Sequence, residues 1–143
     1  MDEAIGRHFA QVIESARRVL EPMTIIQHDL DPDRGIVEIH GRFGALDVRI
    51  KEIITTESRL YSYYILSEGT VVVGFDNYPD RRVLRERWGE EFAAHQHEHI
   101  PHRHGQNKLT VAITDEYSVK RFLAELPDLT TPGSPAIDKE LNV

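Results

Sequence analysis

Five of the eight histidines in this 143-residue chain lie within one short run, AHQHEHIPHRHG. Imidazole has an ordinary pKa of about 6.5, so it exchanges protons near neutral pH, and its nitrogen atoms also bind metals. The run is internal and lies between apolar segments, which is not the position of a purification tag. It indicates acid–base chemistry, a metal site, or a solvated loop with one or two functional imidazoles. The five residues are His95, His97, His99, His102 and His104.

The spacing of these histidines fits more than one arrangement. In an extended chain His95, His97 and His99 share a face, whereas in a helix only His95 and His99 do. His102 and His104 alternate again after the intervening proline. Three imidazole nitrogens on one face can bind zinc, nickel or copper, although no His-Glu-x-x-His motif is present. Acid–base catalysis by His102 or His104 and a metal site drawn from all five histidines therefore stay open as alternatives.

Two carboxylates occupy positions where an acidic side chain needs an explanation. Glu52 is in phase with the apolar residues of its predicted strand, so its carboxylate either faces the core, where it needs a partner, or reaches water at the rim of the sheet. Asp76 ends another predicted strand, where it either caps the following turn or serves in an active site. Both are candidate catalytic residues.

The composition is that of one ordinary globular domain, with 40% hydrophobic and 29% charged residues. The absence of cysteine excludes disulfides and thiolate zinc sites. No apolar run approaches the roughly 20 residues that span a membrane, and residues 1–20 carry charges throughout. We therefore expect no signal peptide, no membrane contact and a cytoplasmic location. The net charge of −7 argues against a DNA-coating protein but not against a small nuclease.

Hydrophobic periodicity predicts an α+β fold that begins with an amphipathic helix over residues 2–20, ended by Pro22. The period then changes to two, which is typical of strands, and the connections are too short for parallel crossovers. We therefore predict an antiparallel meander of five to six strands packed on the N-terminal helix. The first five strands are predicted at residues 23–30, 36–43, 45–55, 58–66 and 70–76.

The second half of the chain is predicted to add a mid-chain helix, a further strand and a C-terminal helix. The helix covers residues 80–94, the sixth strand 108–114, and the closing helix 116–126, where Pro127 stops it. A single domain is expected over residues 1–127, followed by a loose tail at 128–143 that is rich in proline and glycine.

Four short motifs follow one another along the chain: Arg49-x-Lys51-Glu52, Tyr61-Ser62-Tyr63, Phe75-Asp76-Asn77-x-Pro79 and Pro101-His102-Arg103-His104. In this order, over residues 45–105, they resemble the TumE family of small prokaryotic toxin–antitoxin proteins. The chain departs from the family pattern at Asp80, where a histidine usually follows the Asp-Asn-x-Pro motif. Its segment up to the Pro-His-x-His motif is also longer, so His95, His97 and His99 lie outside the resemblance.

The resemblance implies a toxin that acts beside a helix-turn-helix antitoxin. A helix followed by an antiparallel sheet is also similar to small ribonucleases, which use the RNA 2′-hydroxyl to attack the phosphodiester without a metal. That reaction needs a base, an acid and cations at the phosphorane. The expected roles are base for Glu52 or His102, acid for His104, charge stabilisation by Lys51 and Arg103, and stacking of an RNA base on Tyr63.

Two other interpretations remain. Glu52, Asp76 and the histidines can instead form a divalent-metal nuclease site that holds zinc or manganese. Alternatively, the chain is a protein-binding or metal-binding module without catalysis, whose exposed sheet edge meets a partner; formation of a homodimer is left open. If Lys51, Glu52, Asp76, His102 and His104 converge in one cleft, catalysis is favoured.

Overall fold

An amphipathic helix opens the fold, as the sequence predicts. The computed structural model describes residues 2–131, and helix α1 spans Asp2–Val19. Apolar residues spaced three or four apart form one stripe on this helix, and the stripe is buried against the sheet. The residues of the stripe, continued just past the helix end, are Ile5, Phe9, Val12, Ala16 and Leu20.

Seven strands form one sheet in which spatial order equals sequence order and every neighbouring pair is antiparallel. The predicted α+β meander is confirmed, with one more strand than the upper expectation. The additional strand is β6, which lies in the histidine run, and the predicted strand 108–114 is shortened to β7. The bounds are β1 Met23–Leu30, β2 Arg34–Phe43, β3 Leu46–Thr55, β4 Arg59–Ser67, β5 Thr70–Asp76, β6 His102–His104 and β7 Val111–Ile113.

Helix α2, in the connection between β5 and β6, is shorter than predicted. It spans Arg81–Trp88, and the side chain of Asp80 caps its first turn by accepting a hydrogen bond from the backbone N–H of Arg82. Gly89 ends it with a φ of 60°, a conformation that glycine adopts without steric cost. A 3-10 helix over Gly89–His95 occupies the rest of the predicted helix.

Helix α3 spans Val119–Thr130, so Pro127 lies inside it instead of stopping it. A proline removes one backbone hydrogen bond from a helix, but here the buried side chains of Phe122 and Leu126 hold the last turns against the core. The predicted tail at 128–143 therefore begins within α3, and from residue 132 on it lies outside the described residues. None of the described helices is long and apolar enough to cross a membrane.

The two faces of the sheet differ in what covers them. Helices α1 and α3 cover one face and enclose the main hydrophobic core. Helix α2 packs on the opposite face beside β6 and β7, where Val83, Leu84 and Ile100 form a smaller cluster. The side chains of Asp76, His102 and His104 lie on this second face, outside the main core.

Candidate metal and catalytic site

Two rows of side chains cross neighbouring strands and build the site on the second face. Residues directly opposite each other in an antiparallel sheet point to the same side, so the register decides which side chains meet. The first row consists of Lys51, Ser62, Asp76 and His102. The second row, two residues along the strands, consists of Arg49, Tyr64, Gly74 and His104.

Asp76, His102 and His104 form a close cluster where the two rows meet. Oδ1 of Asp76 lies 3.0 Å from Nε2 of His102, and Oδ2 lies 3.2 Å from Nε2 of His104. The two Nε2 atoms are 3.1 Å apart. Ligands bound to one metal at about 2.0–2.2 Å stand about 2.9–3.5 Å from one another at tetrahedral or octahedral angles. The two imidazole nitrogens fall in this range, and one ligand atom from each of the three side chains lies within 4.8 Å of the others, so the cluster can hold a single metal ion.

The contact made by Nδ1 of His102 determines which of its two ring nitrogens carries a hydrogen in the neutral imidazole. Nδ1 lies 2.7 Å from the carbonyl oxygen of Ile100, which only accepts, so Nδ1 carries a hydrogen and donates it. A neutral His102 then turns the lone pair of Nε2 toward Asp76 and His104. Metal-binding histidines in proteins are commonly oriented by such a bond from the other nitrogen to a carbonyl. A cation between the three side chains would satisfy the carboxylate and both Nε2 atoms, whereas Nδ1 of His104 is buried without a hydrogen-bond partner among the described residues.

Electrostatics favour a cation at this point. Burial on its own raises the pKa of Asp76, but hydrogen bonds with His102, His104 and Tyr64 outweigh burial and hold that pKa well below its usual range. Burial lowers the pKa of His102, whereas the hydrogen bonds with Asp76 and the Ile100 carbonyl raise it above the ordinary value. Asp76 is therefore ionised at neutral pH and attracts positive charge, a proton or a metal ion.

Tyr64 and Gly74 position the carboxylate. Gly74 has no side chain, so the ring of Tyr64 lies across it, and the Tyr64 hydroxyl donates a hydrogen bond to Oδ2 of Asp76. The backbone N–H of Tyr78 donates to Oδ1 at 2.9 Å. The ring of Tyr64 also stacks near His104, with 6.2 Å between the centroids. Both oxygens of Asp76 are thus oriented by fixed donors.

We expect the Gly74→Ala variant to lose about 1–3 kcal/mol of unfolding free energy, the usual cost of an overpacked site. A Cβ at this position would lie 2.0 Å from Cε1 of Tyr64, so the ring would have to leave Asp76. Urea denaturation measures the loss. Gly6→Ala is the control: its Cβ would meet no atom closer than 3.6 Å, and alanine favours a helix, so this variant should be slightly more stable. Equal stability of the two variants would contradict this account of Gly74.

A cleft of about 420 Å³ opens above the cluster. The cluster side chains are almost fully buried at its floor, whereas the rim carries partly exposed cations, Lys51, Arg82 and Lys108. Asp80 adds a second carboxylate, with its Oδ2 3.9 Å from Nε2 of His104. The cleft therefore combines an anionic, metal-sized centre with a cationic rim that suits a negatively charged substrate.

Glu52 does not join this cleft. Neighbouring residues of a strand face opposite sides, so Lys51 faces the cleft and Glu52 faces the main core. Its carboxylate is fully buried and has the partners that such a position demands: Nε2 of His8 at 2.7 Å, Nη2 of Arg59 at 3.2 Å and the hydroxyl of Tyr63. The prediction that Glu52 shares a site with His102 and His104 as a catalytic base is therefore wrong, because the sheet separates its carboxylate from the two imidazoles.

Tyr63 and Arg103 also point away from the cleft. Tyr63 is fully buried between Tyr61 and Phe122, so it has no free face on which an RNA base can stack. Arg103 lies over the ring of Phe75, with its guanidinium carbon 5.7 Å from the ring centroid, on the main-core side of β6. Neither residue can take the role expected from the sequence while this sheet is intact.

The three histidines outside the family resemblance are not part of the cluster. His95 stacks on Trp88 with 3.7 Å between the ring centroids, and its Nδ1 lies 2.7 Å from Glu98. His97 and His99 are exposed. Asp76, His102 and His104 are close enough to share a metal ion. Within residues 2–131, no other group of three histidine or carboxylate side chains is. A metal site that uses all five histidines is therefore excluded in this structure.

The cleft also contains side chains that were not predicted from the sequence, among them Tyr64, Asp80, Arg82 and Lys108. The side chain of Tyr64 alternates with that of Tyr63, so the pairing of β4 with β5 is needed to decide which tyrosine faces Asp76. Asp80 was noted only as a departure from the family pattern. Its position as the cap of α2 brings it to the rim, beside Arg82.

Comparison of this chain with protein-family models, with curated proteins and with solved structures finds no match in any of the three. The function therefore has to be inferred from the site.

Proposed function

We propose that this chain is a divalent-metal nuclease that cleaves RNA, and that Asp76, His102 and His104 bind its metal ion. The observation that carries the proposal is that one ligand atom from each of the three side chains lies within 4.8 Å of the other two, with the two Nε2 atoms 3.1 Å apart, together with the hydrogen bond that commits Nδ1 of His102 to a carbonyl. Two histidines and one carboxylate leave further coordination positions open for water and substrate, as catalytic metal sites require.

The charges around the cleft support a phosphodiester as the substrate. Lys51 and Lys108 lie at the rim, and Arg82 holds the segment of Lys108 by donating to its carbonyl oxygen at 2.9 Å. A bound divalent ion polarises a phosphoryl oxygen and activates water, while cations at the rim stabilise the charge that develops on the phosphate. Lys51 is half-exposed and lines the cleft, and its Nζ is 3.9 Å from Oε1 of Glu38, a separation long enough for the ammonium group to turn to a bound phosphate.

The contact between the two histidines favours the metal nuclease over the metal-independent ribonuclease. An acid and a base that serve the entering and leaving oxygens lie on opposite sides of the phosphate. Nε2 atoms only 3.1 Å apart cannot flank a phosphate in this way, but they can bind the same ion. Glu52, the other candidate base, is buried on the far side of the sheet.

The toxin role is part of the same proposal. The two most specific motifs of the resemblance to the TumE family, Asp-Asn-x-Pro and Pro-His-x-His, supply all three members of the cluster. We propose that the chain acts in the cytoplasm, where its RNA substrate is found, and that a helix-turn-helix antitoxin controls it. Size-exclusion chromatography with light scattering distinguishes a monomer from a homodimer.

We expect the purified chain to cleave single-stranded RNA, to lose this activity in EDTA and to regain it with added zinc or manganese. The physical reason is that the chelator removes the ion on which the cleavage depends. Gel analysis of end-labelled RNA measures cleavage, and elemental analysis of the purified chain measures the bound metal.

Cleavage that persists in EDTA, spares DNA and leaves a 2′,3′-cyclic phosphate would replace this proposal with the metal-independent ribonuclease. A chain that binds zinc tightly and cleaves neither RNA nor DNA would instead be a metal-binding module.

A further inference from the structure

We propose that Arg81, Arg85 and Phe92 form a binding surface for the single-stranded RNA next to the nucleotide being cleaved. This surface lies on α2 and the 3-10 helix that follows it, beside the cleft. The inference rests on the proposed function for the identity of the substrate, but the binding it describes is measured without cleavage.

The first observation is that two arginines share one aromatic ring and lack carboxylate partners. The guanidinium carbons of Arg81 and Arg85 lie 5.8 and 4.6 Å from the centroid of Phe92. Within residues 2–131, neither guanidinium has a carboxylate oxygen within 4.0 Å, whereas their neighbour Arg82 pairs with Asp80. Like charges one helical turn apart repel each other. In a chain with a net charge of −7, this unpaired positive pair is suited to an anion.

The second observation is that this surface is continuous with the cleft. A groove of about 350 Å³ is lined by Arg81, Leu84, Phe92 and Gln96, and it shares Pro79 and Asp80 with the cleft that contains the cluster. A strand bound at the cluster can therefore extend over Pro79 and over Asp80, whose carboxylate is paired with Arg82, to reach Phe92. On the far side of Phe92 the surface continues with Arg85 and ends at Glu90, whose carboxylate would repel a further phosphate.

The chemistry of the surface fits a single strand better than a duplex. An aromatic ring and guanidinium planes stack unpaired bases and at the same time neutralise the phosphates that connect them. Gln96 is exposed at the groove and offers an amide for the edge of a base. In a duplex the faces of the bases are covered by their neighbours, so Phe92 would have nothing to stack on.

The test measures binding of a short fluorescein-labelled 2′-O-methyl RNA by fluorescence anisotropy in EDTA. This probe resists cleavage through the 2′-oxygen, and EDTA removes any metal. We expect the Arg81→Ala/Arg85→Ala variant to bind less tightly and to reduce the slope of log Kd against log salt by about 1.4, the value for two phosphate contacts to a single strand. Phe92→Ala should weaken binding about 5- to 150-fold, the range for one stacked base.

Arg17→Ala/Arg18→Ala is the matched control, since it removes the same charge from exposed positions on α1. It should bind the probe like the wild type. Phe92→Leu keeps most of the apolar volume, so loss of binding in that variant separates stacking from folding. Wild-type affinity in the Arg81→Ala/Arg85→Ala variant would overturn the inference, as would an equal loss of affinity for single-stranded and duplex probes.

The proposed function is tested separately by hydrolysis of bis(p-nitrophenyl) phosphate by the metal-loaded wild-type chain. This ester is too small to extend from the cluster to Phe92. Failure to hydrolyse it, combined with loss of RNA binding in the arginine variant, would contradict the nuclease proposal and still support the binding surface.

Discussion

The His102→Ala variant should lose its metal and about 10³-fold or more in kcat/KM for RNA cleavage. Loss of an outer partner of a metal ligand costs about 10–100-fold in affinity, and loss of the ligand itself should exceed that. A Lewis acid contributes several kcal/mol to the transition state, and each 1.36 kcal/mol is a factor of ten in rate. Elemental analysis measures the metal, and single-turnover cleavage of labelled RNA measures the rate.

Two comparisons make this result specific to the cluster. The His97→Ala/His99→Ala variant removes exposed imidazoles outside the cluster and should keep both metal and activity. His104→Ala should match His102→Ala, because both Nε2 atoms face the same carboxylate. A His102→Ala chain that is folded by circular dichroism and retains a stoichiometric metal would refute the assignment of the ligands.

The second large effect is expected at Glu52, on the opposite face of the sheet. Glu52→Gln should lower the unfolding free energy by up to about 3 kcal/mol, the lower end of the range for a broken buried pair, because it leaves the Arg59 guanidinium with only the exposed Glu116 as a counter-charge. Here the charge left behind is that of Arg59, whose Nη2 also donates to the carbonyl oxygen of Tyr117 at 2.9 Å. Urea denaturation at neutral pH measures the loss.

Glu116→Gln is the control, because it removes the other carboxylate that pairs with Arg59. Glu116 also pairs with Arg59, at 3.4 Å, but its side chain is 64% exposed, and exposed pairs contribute about 0–1 kcal/mol. If both variants lose the same small amount of unfolding free energy, the buried carboxylate of Glu52 stabilises the fold no more than an exposed one.

The contribution of Glu52 should also depend on pH. Burial raises the pKa of Glu52, but hydrogen bonds from His8 and Tyr63 and the charge of Arg59 outweigh burial and lower that pKa below its usual value. A carboxyl whose pKa is lower in the folded state stabilises the protein above its unfolded pKa, about 4.3, and this stabilisation is lost as the pH falls through the folded value. The difference between wild type and Glu52→Gln should therefore shrink in acid below about pH 4.

Most of the sheet could be predicted from the sequence, because apolar and polar residues alternate along the strands and the turns between them are short. The strands from Met23 to Asp76 lie within a few residues of the predicted bounds, and β2 to β5 each bury one face in the core, whereas the edge strand β1 is mostly exposed. Strand β6 has only three residues, too few for a periodic signal, and it is formed by pairing with β5. Helix α3 passes through Pro127 because of packing that local sequence does not contain.

Part of the site could also be predicted from the motifs and from the alternation of side chains along the strands. Lys51, Asp76, His102 and His104 lie in the one cleft, as the motifs suggested. Glu52 follows Lys51 directly and must face the other side of the sheet, which alternation alone already implies. Tyr64 was missed because its contact with Asp76 depends on the absence of a side chain at Gly74, one strand away. Such contacts depend on the register of several strands at once.

The longest connection between strands, residues 77–101, begins immediately after Asp76 and ends immediately before His102. The contact between these two residues therefore joins the ends of the whole excursion that contains α2. Asp76 and His102 are already opposite each other in the pairing of β5 with β6, and a cation held between them would add a cross-link at the point where this loop closes. Metal binding would then add to the strand pairing and to the packing of Val83 and Leu84 that already hold α2, so the same ion would serve both the loop and the cleft.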